Sequence, residues 1–340
     1  MSRHLPVVLA ALVVAPVVPS RVAAQGPADP EVKEWTVPWP STRPRDPYVA
    51  PDGRVWFVGQ QGNYLAVLNP TSGAFERVEI DEGTHPHNQI VDAQGRVWYA
   101  GNRNGMIGRY DPATKTITRY PMPDPAVGDP HTLVFDGKGN IFFTAQGAGH
   151  VGRLVMATGK IDLIPVGPRT RPYGIIVDGQ GRPFFTEFGT NKLAMIDPAT
   201  LTLREFELPE GARPRRIAVG GDGRTIWYVD YSRGFLGRLE PATGRVTEYP
   251  SPSWARSQPY AMTSDDQGRL WYVETGPRPN RMVAFDPARE DFVVNLPVGT
   301  DGPNTIRHMI YHPATRSIWY GADADVVGRV TVPRVLQAVP

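Results

Sequence analysis

The stretch RPYGIIVDGQGRPFFTEFGTNKLAMIDPAT, residues 171–200, breaks into short apolar segments separated by turns rich in Gly, Asp, Asn and Pro. Tyr173–Val177, Pro183–Thr186 and Leu193–Ile196 are three of these, and Leu203–Leu208 follows the DPAT turn at 197–200. Runs of this length between such turns read as strands, and no apolar period of 3.6 residues runs through them. The second segment carries the aromatic pair Phe184-Phe185 and ends at Glu187. The pair decides the fold because it recurs, as Trp56-Phe57, Trp98-Tyr99, Phe142-Phe143, Trp227-Tyr228, Trp271-Tyr272 and Trp319-Tyr320. Successive copies lie 42, 44, 42, 43, 44 and 48 residues apart. Periods in that range mark a solenoid or a propeller, and four antiparallel strands per period describe a propeller blade. The expected fold is therefore all-β: one domain, residues 25–340, of seven four-stranded blades.

The two ends of the repeat array imply a closed ring. The last copy has its aromatic pair and a third strand, Val326–Val330, but nothing after it resembles a fourth. Near the other end, Glu34-Trp35-Thr36-Val37-Pro38 resembles the fourth strands Glu205–Pro209 and Glu248–Pro250. This N-terminal strand is expected to complete the seventh blade, since closure removes the exposed end faces that an open array must cap.

Composition narrows the function classes. The 340 residues are 41% hydrophobic and 21% charged, with a net charge of +2 and no block of like charge. Neither a nucleic-acid surface nor a membrane-binding surface follows from that pattern. Without cysteine there are no disulfides and no thiolate metal sites. Residues 1–24 read as a secretory signal peptide: Arg3 and His4 open it, Leu5 to Val18 is apolar, and Val22-Ala23-Ala24 offers a small-residue cleavage site. The apolar run is shorter than the ~20 residues a membrane span needs. The mature protein is expected to be periplasmic or secreted, a monomer without a membrane span.

Antiparallel order within a blade, strands A to D, puts the start of A and the end of B on one face beside the central channel. Loops at such a mouth carry binding residues on a rigid scaffold. Two registers follow around the ring. At the ends of strand B stand Gly59, Gly101, Ala145, Glu187, Asp230, Glu274 and Ala322; at the starts of strand A, after proline, stand Tyr48, His87, His131, Tyr173, Arg215 and Tyr260, with His308 aligned in the last blade. Glu187, Asp230 and Glu274 fall on consecutive blades. Converging carboxylates repel one another unless a cation or arginines offset them. Either they hold a hard cation, Mg²⁺ or Ca²⁺, or they are rim residues paired with Arg171, Arg213 or Arg215. Histidines beside carboxylates are candidates for general acid and base, so His131 and His87 are the expected catalytic pair. Tyr48, Tyr173, Arg215, Tyr260 and His308 are the expected contacts to a small-molecule or peptide ligand.

The Gly-Arg pairs 108–109, 152–153, 237–238 and 328–329 lie in strand C and read as blade packing. The repeated frame P-[YH]-x-I-x-x-D-x-x-G-x-[VLI]-W-[FY]-[TV]-E, followed by N-K-[IL]-[GA], resembles the virginiamycin B lyase (streptogramin lyase) family across about residues 34–332. The resemblance implies a seven-bladed propeller that opens a cyclic streptogramin B depsipeptide by elimination at its ester, with Mg²⁺. It implies two histidines after proline in successive blades, matched here by His87 and His131. It also implies a carboxylate two residues before the second histidine, matched by Asp129, which joins the metal candidates. A further carboxylate is implied at the strand-B end of that blade, where this chain has Ala145. Two functions stand open from the sequence: an exported, metal-assisted lyase, and a non-catalytic binding propeller of the cell envelope.

Overall fold

The computed structural model describes residues 28–299, 304–334 and 336; the expected signal peptide lies outside them. The described residues form seven four-stranded antiparallel sheets. In the fourth blade the strands are Pro172–Val177, Pro183–Glu187, Lys192–Ile196 and Leu203–Glu207, within a residue or two of the segments read from the sequence. Among the described residues the only helices are single turns at Trp254–Arg256 and Pro313–Thr315, and no helix is long and apolar enough to cross a membrane. Each inner strand packs on the inner strands of its neighbours, and the first packs on the seventh, so the ring is closed.

The recurring aromatic pair and the Gly-Arg pair are two halves of one packing unit. The second aromatic lies flat over the strand-C glycine. A Cβ added to Gly108 would stand 2.0 Å from Tyr99 Cζ, and one on Gly152 would stand 2.0 Å from Phe143 Cζ. No side chain fits there, so the glycine is a steric requirement of the ring above it. The arginine that follows covers the first aromatic: Arg109 Cζ is 5.4 Å from the Trp98 ring and Arg238 Cζ is 5.8 Å from the Trp227 ring. The A–B turn then takes up the indole N–H, with Trp98 donating to Asp92 and Trp271 to Asp265, both at 2.9 Å.

Closure follows the same logic. The N-terminal strand Glu31–Thr36 pairs antiparallel with Val326–Thr331 as the outer strand of the seventh blade. Trp35 stacks on Trp319 with centroids 5.5 Å apart, and Tyr320 OH donates to Glu34 Oε1 at 2.6 Å. Beyond the strand, Val37 N donates to Asp325 O, and Ser41 N donates to the Asp325 carboxylate.

One irregularity is common to every blade. The A–B ladder loses register near its head in all seven sheets, just after its first pair in six of them and after the second, at Arg45, in the first blade. A bulge at the head of a strand turns the next side chain out of the pleat, and here it turns that side chain toward the channel mouth.

Removing residues 25–40 deletes the closing strand and the Trp35–Trp319 stack. Loss of a buried tryptophan stack alone costs about 3 kcal/mol or more, so the melting temperature is expected to fall by several degrees. An unchanged melt would show that the ring does not depend on this strand.

Candidate functional site

The ladders fix which residues meet at the mouth. Pro44, Pro86, Pro130, Pro172, Pro214, Pro259 and Ile306 each sit opposite the strand-B end of their blade. The residues that follow them form the first ring: Arg45, His87, His131, Tyr173, Arg215, Tyr260 and Arg307. Two expected members are therefore corrected. Tyr48 sits opposite Trp56, farther down the channel, and the first blade contributes Arg45 instead. Pro47 beside Tyr48 imitates the motif, but the proline in register is Pro44. In the seventh blade no proline marks the start, and the ring position falls to Arg307, with His308 one step deeper. Asp46, Asn88, Thr132 and Arg216 share that deeper layer.

The two histidines do come together. His87 and His131 are buried, with ring centroids 3.6 Å apart. Arg45 Nη1 lies 2.9 Å from His87 Nε2 and also donates to Gln60 Oε1. A guanidinium can only donate, so Nε2 is the unprotonated nitrogen of His87 and Nδ1 carries its proton. His131 Nδ1 is 2.8 Å from Thr132 Oγ1, which also accepts from Arg216 Nη1 at 3.2 Å. Burial first, then Arg45 and His131, hold His87 well below the ordinary imidazole value; burial first, then Arg216 and Arg45, do the same to His131. Both rings are neutral at neutral pH.

Tyr173 continues the ring at 4.4 Å from His131 and hydrogen-bonds Tyr260 hydroxyl to hydroxyl. Arg215 stacks on Tyr260 at 3.7 Å and on Tyr231 at 4.2 Å. Burial raises the Tyr260 phenol, but Arg215, Arg45 and Arg216 outweigh it and bring the group down to about 8. Four guanidiniums, Arg45, Arg215, Arg216 and Arg307, thus surround the upper channel. Carboxylates answer two of them: Asp46 lies 3.7 Å from Arg45, and Asp323 pairs with Arg307 at 2.6 Å. Among the described residues no carboxylate reaches ion-pair distance of Arg215 or Arg216. The mouth carries excess positive charge.

The acids of the strand-B register are buried at 0% exposure and do not face one another. Glu187 Oε2 accepts from Thr190 Oγ1 at 2.9 Å, and its Oε1 has no partner. Asp230 accepts from the amides of Arg213, Ser232 and Arg233 and pairs with Arg233 Nε at 2.5 Å. Glu274 accepts from Ser253 N at 2.8 Å and Ser253 Oγ at 2.5 Å. Asp129 accepts from the amides of Gly147 and Ala148. Each carboxylate braces its own loop, whereas a hard cation needs several oxygens turned to one point. Among the described residues no three His, Asp or Glu side chains are placed to hold a metal ion. This donor set does not fit the Mg²⁺ implied by the resemblance, and no step below passes through one. Arg45, Arg216 and Arg307 were missed in the sequence; Pro44, at the motif spacing from Trp56, was the signal for the first.

A seven-bladed β-propeller with histidines, tyrosines and arginines gathered at one channel mouth is the class these observations define. The chain belongs to the virginiamycin B lyase family, whose model matches residues 20–225. A streptogramin B lyase structure is similar, with a TM-score of 0.79 at 24% identity over 89% of this chain and 97% of that one. The virginiamycin B lyase of Staphylococcus aureus superposes with a TM-score of 0.80 at 22% identity, over 89% of this chain and all of that one (100%). A hydrazine synthase of Kuenenia stuttgartiensis shares the architecture, with a TM-score of 0.71 at 13% identity over 93% and 99% of the two chains. These likenesses concern the fold. No curated protein matches the chain.

Burial, reinforced by Glu205 and opposed by the Thr190 hydrogen bond, pushes Glu187 up to about 7. A carboxyl raised on folding favours the native state while protonated. Its contribution is complete below its unfolded value of about 4.5 and is lost as pH rises through about 7. Glu187→Gln keeps the neutral shape, so the variant is expected to melt above wild type at about pH 8 and level with it at about pH 4. Parallel pH dependences in thermal melts of the two proteins would contradict this burial argument.

Proposed function

We propose that the protein is a C–O lyase that opens a cyclic ester by elimination, acting outside the cytoplasm. The observation that carries the reading is the pair of neutral imidazoles, His87 and His131, in contact with centroids 3.6 Å apart at a mouth where Arg215 and Arg216 have no carboxylate partners among the described residues. A neutral imidazole accepts a proton at working pH. In the tautomer in which Nδ1 of His131 donates to Thr132 Oγ1, the Nε2 lone pair takes the proton α to a carbonyl. The electrons form a C=C bond as the ester C–O bond breaks, and the acyl oxygens leave as a carboxylate. Such a leaving group needs no proton, only positive charge. Arg215 is suited to receive it, and Arg45 to stabilise the enolate-like charge on the carbonyl. Family membership and the fold support the reading. So does quinupristin, named as the molecule held by a catalytically inactive variant of the Staphylococcus aureus enzyme. Export rests on the leader-like residues 1–24, and N-terminal sequencing of protein from the medium or periplasm checks it by a start near Gln25.

The alternative, a non-catalytic binding propeller, draws on Ala145 at the position where the family resemblance implies a carboxylate. The two separate in one experiment: the mature protein is incubated with quinupristin and with simpler cyclic esters, and products are weighed and scanned in the ultraviolet. Elimination gives an open-chain isomer of unchanged mass with a new conjugated double bond, whereas hydrolysis adds a water. His131→Ala is expected to lower turnover by about a hundredfold or more. Binding without conversion would leave the propeller a receptor and overturn the lyase reading.

A further inference from the structure

Below the mouth the channel is not uniform. The deeper layer forms a polar plug: Asn88 Nδ2 donates to Asp46 Oδ2 at 2.6 Å, and Arg216 Nε donates to Arg307 O at 3.1 Å. Past the plug, the inner strands enclose a cavity of about 320 Å³ that reaches the ends of those strands, on the face opposite the mouth. That volume sits at the lower end of small-ligand pockets. Its walls are mainly apolar. The residues facing the first aromatic of each blade form a collar, of which Tyr48, Val134, Ile176 and Ile310 are half-buried and line the cavity.

Two polar groups close the inner end. Arg216 is 3% exposed, lines the cavity, and has Nη2 without a partner. His308 lines it too, and its Nδ1 also lacks a partner. A buried guanidinium N–H left without an acceptor is costly, and an acceptor entering from the cavity removes that cost. Asp46, the carboxylate of the plug, accepts from Asn88 through Oδ2 and lies 3.7 Å from Arg45, while its Oδ1 has no hydrogen-bond partner among the described residues.

We infer that this lower chamber is a second ligand site, distinct from the mouth, for a small amphiphilic monocarboxylate. Its carboxylate accepts from Arg216 Nη2, with His308 beside it, and its short aliphatic body lies against the collar. The chamber opens on the other face, so it fills and empties independently of the ester-opening site.

Hexanoate is the probe, titrated calorimetrically into the mature protein, with hexanol as the neutral control. The expected result is one-to-one binding of hexanoate and at least tenfold weaker binding of hexanol. Val219 lines the chamber near the lower end of its strand, so Val219→Glu sets a negative charge in the carboxylate's path. That variant is expected to weaken hexanoate at least tenfold while leaving turnover at the mouth unchanged. Arg216→Gln should do the same to hexanoate, and Val219→Glu decides the matter if Arg216→Gln does not fold. His131→Ala should bind hexanoate as wild type does. No binding, equal binding of hexanol, binding that survives Val219→Glu, or binding lost in His131→Ala would each overturn the inference. The hexanoate and hexanol binding readouts do not require the lyase reading to be correct.

Discussion

Seven inner strands converge on one axis, and the bulge at the head of each is the constraint on which the functional geometry rests. A regular pleat would alternate the side chains between the two neighbouring blades. The register lost at the head of the A–B ladder in every blade, one pair later in the first blade than in the others, breaks that alternation beside the mouth. Backbone strain gathers at the same place: Arg43, His85, Arg171 and Gln258, each just before a strand-A proline, hold left-handed conformations with φ between 44° and 53°. Such residues cost about 1–3 kcal/mol each and persist where the surrounding packing over-determines them. That packing is supplied by the aromatic over glycine unit of the blades and by the closing strand.

The consequence is an electrostatic site rather than a metal-ligand site. Burying several guanidiniums around one channel with too few carboxylates disfavours every further positive charge nearby. The imidazoles of His87 and His131, disfavoured as cations by burial first and by these guanidiniums next, stay neutral, while Tyr260 is drawn toward phenolate against its own burial. His308, deeper in the same field, is brought down to about 4 chiefly by burial, although Asp46 pulls the other way. One arrangement of charge therefore sets the protonation state of the groups that would do chemistry and favours anions on both sides of the polar plug.

Much of this was legible in the sequence, for identifiable reasons. The blade count rested on aromatic pairs whose spacing is fixed by the length of one sheet, and closure rested on a strand missing at one end and present at the other. Both are repeated signals. His87 and His131 were found because proline marks the bulge in their blades. The register failed where that marker is doubled, at Pro44 and Pro47, and where it is absent, at Ile306. The acids were misread for another reason. Shared register at the ends of strand B places Glu187, Asp230 and Glu274 at one level, but not in one direction. Glu187 and Asp230 turn to Thr190 and Arg233 in the turns that follow them, and Glu274 turns to Ser253 in the connection from the fifth blade. Partners on loops carry no periodic signal.

The central claim is that the mouth holds two neutral imidazoles in contact inside a field of unbalanced guanidiniums. Nitrogen-resolved NMR of the histidine rings across a pH titration tests it most directly, with His87→Gln and His131→Gln used to assign the signals. The account predicts that both rings stay neutral at a pH well below the ordinary imidazole value of about 6.5, with the His87 proton on Nδ1. If either ring titrates near that ordinary value, or if His87 carries its proton on Nε2, the mouth is not the cationic site described and the base assigned to it is lost.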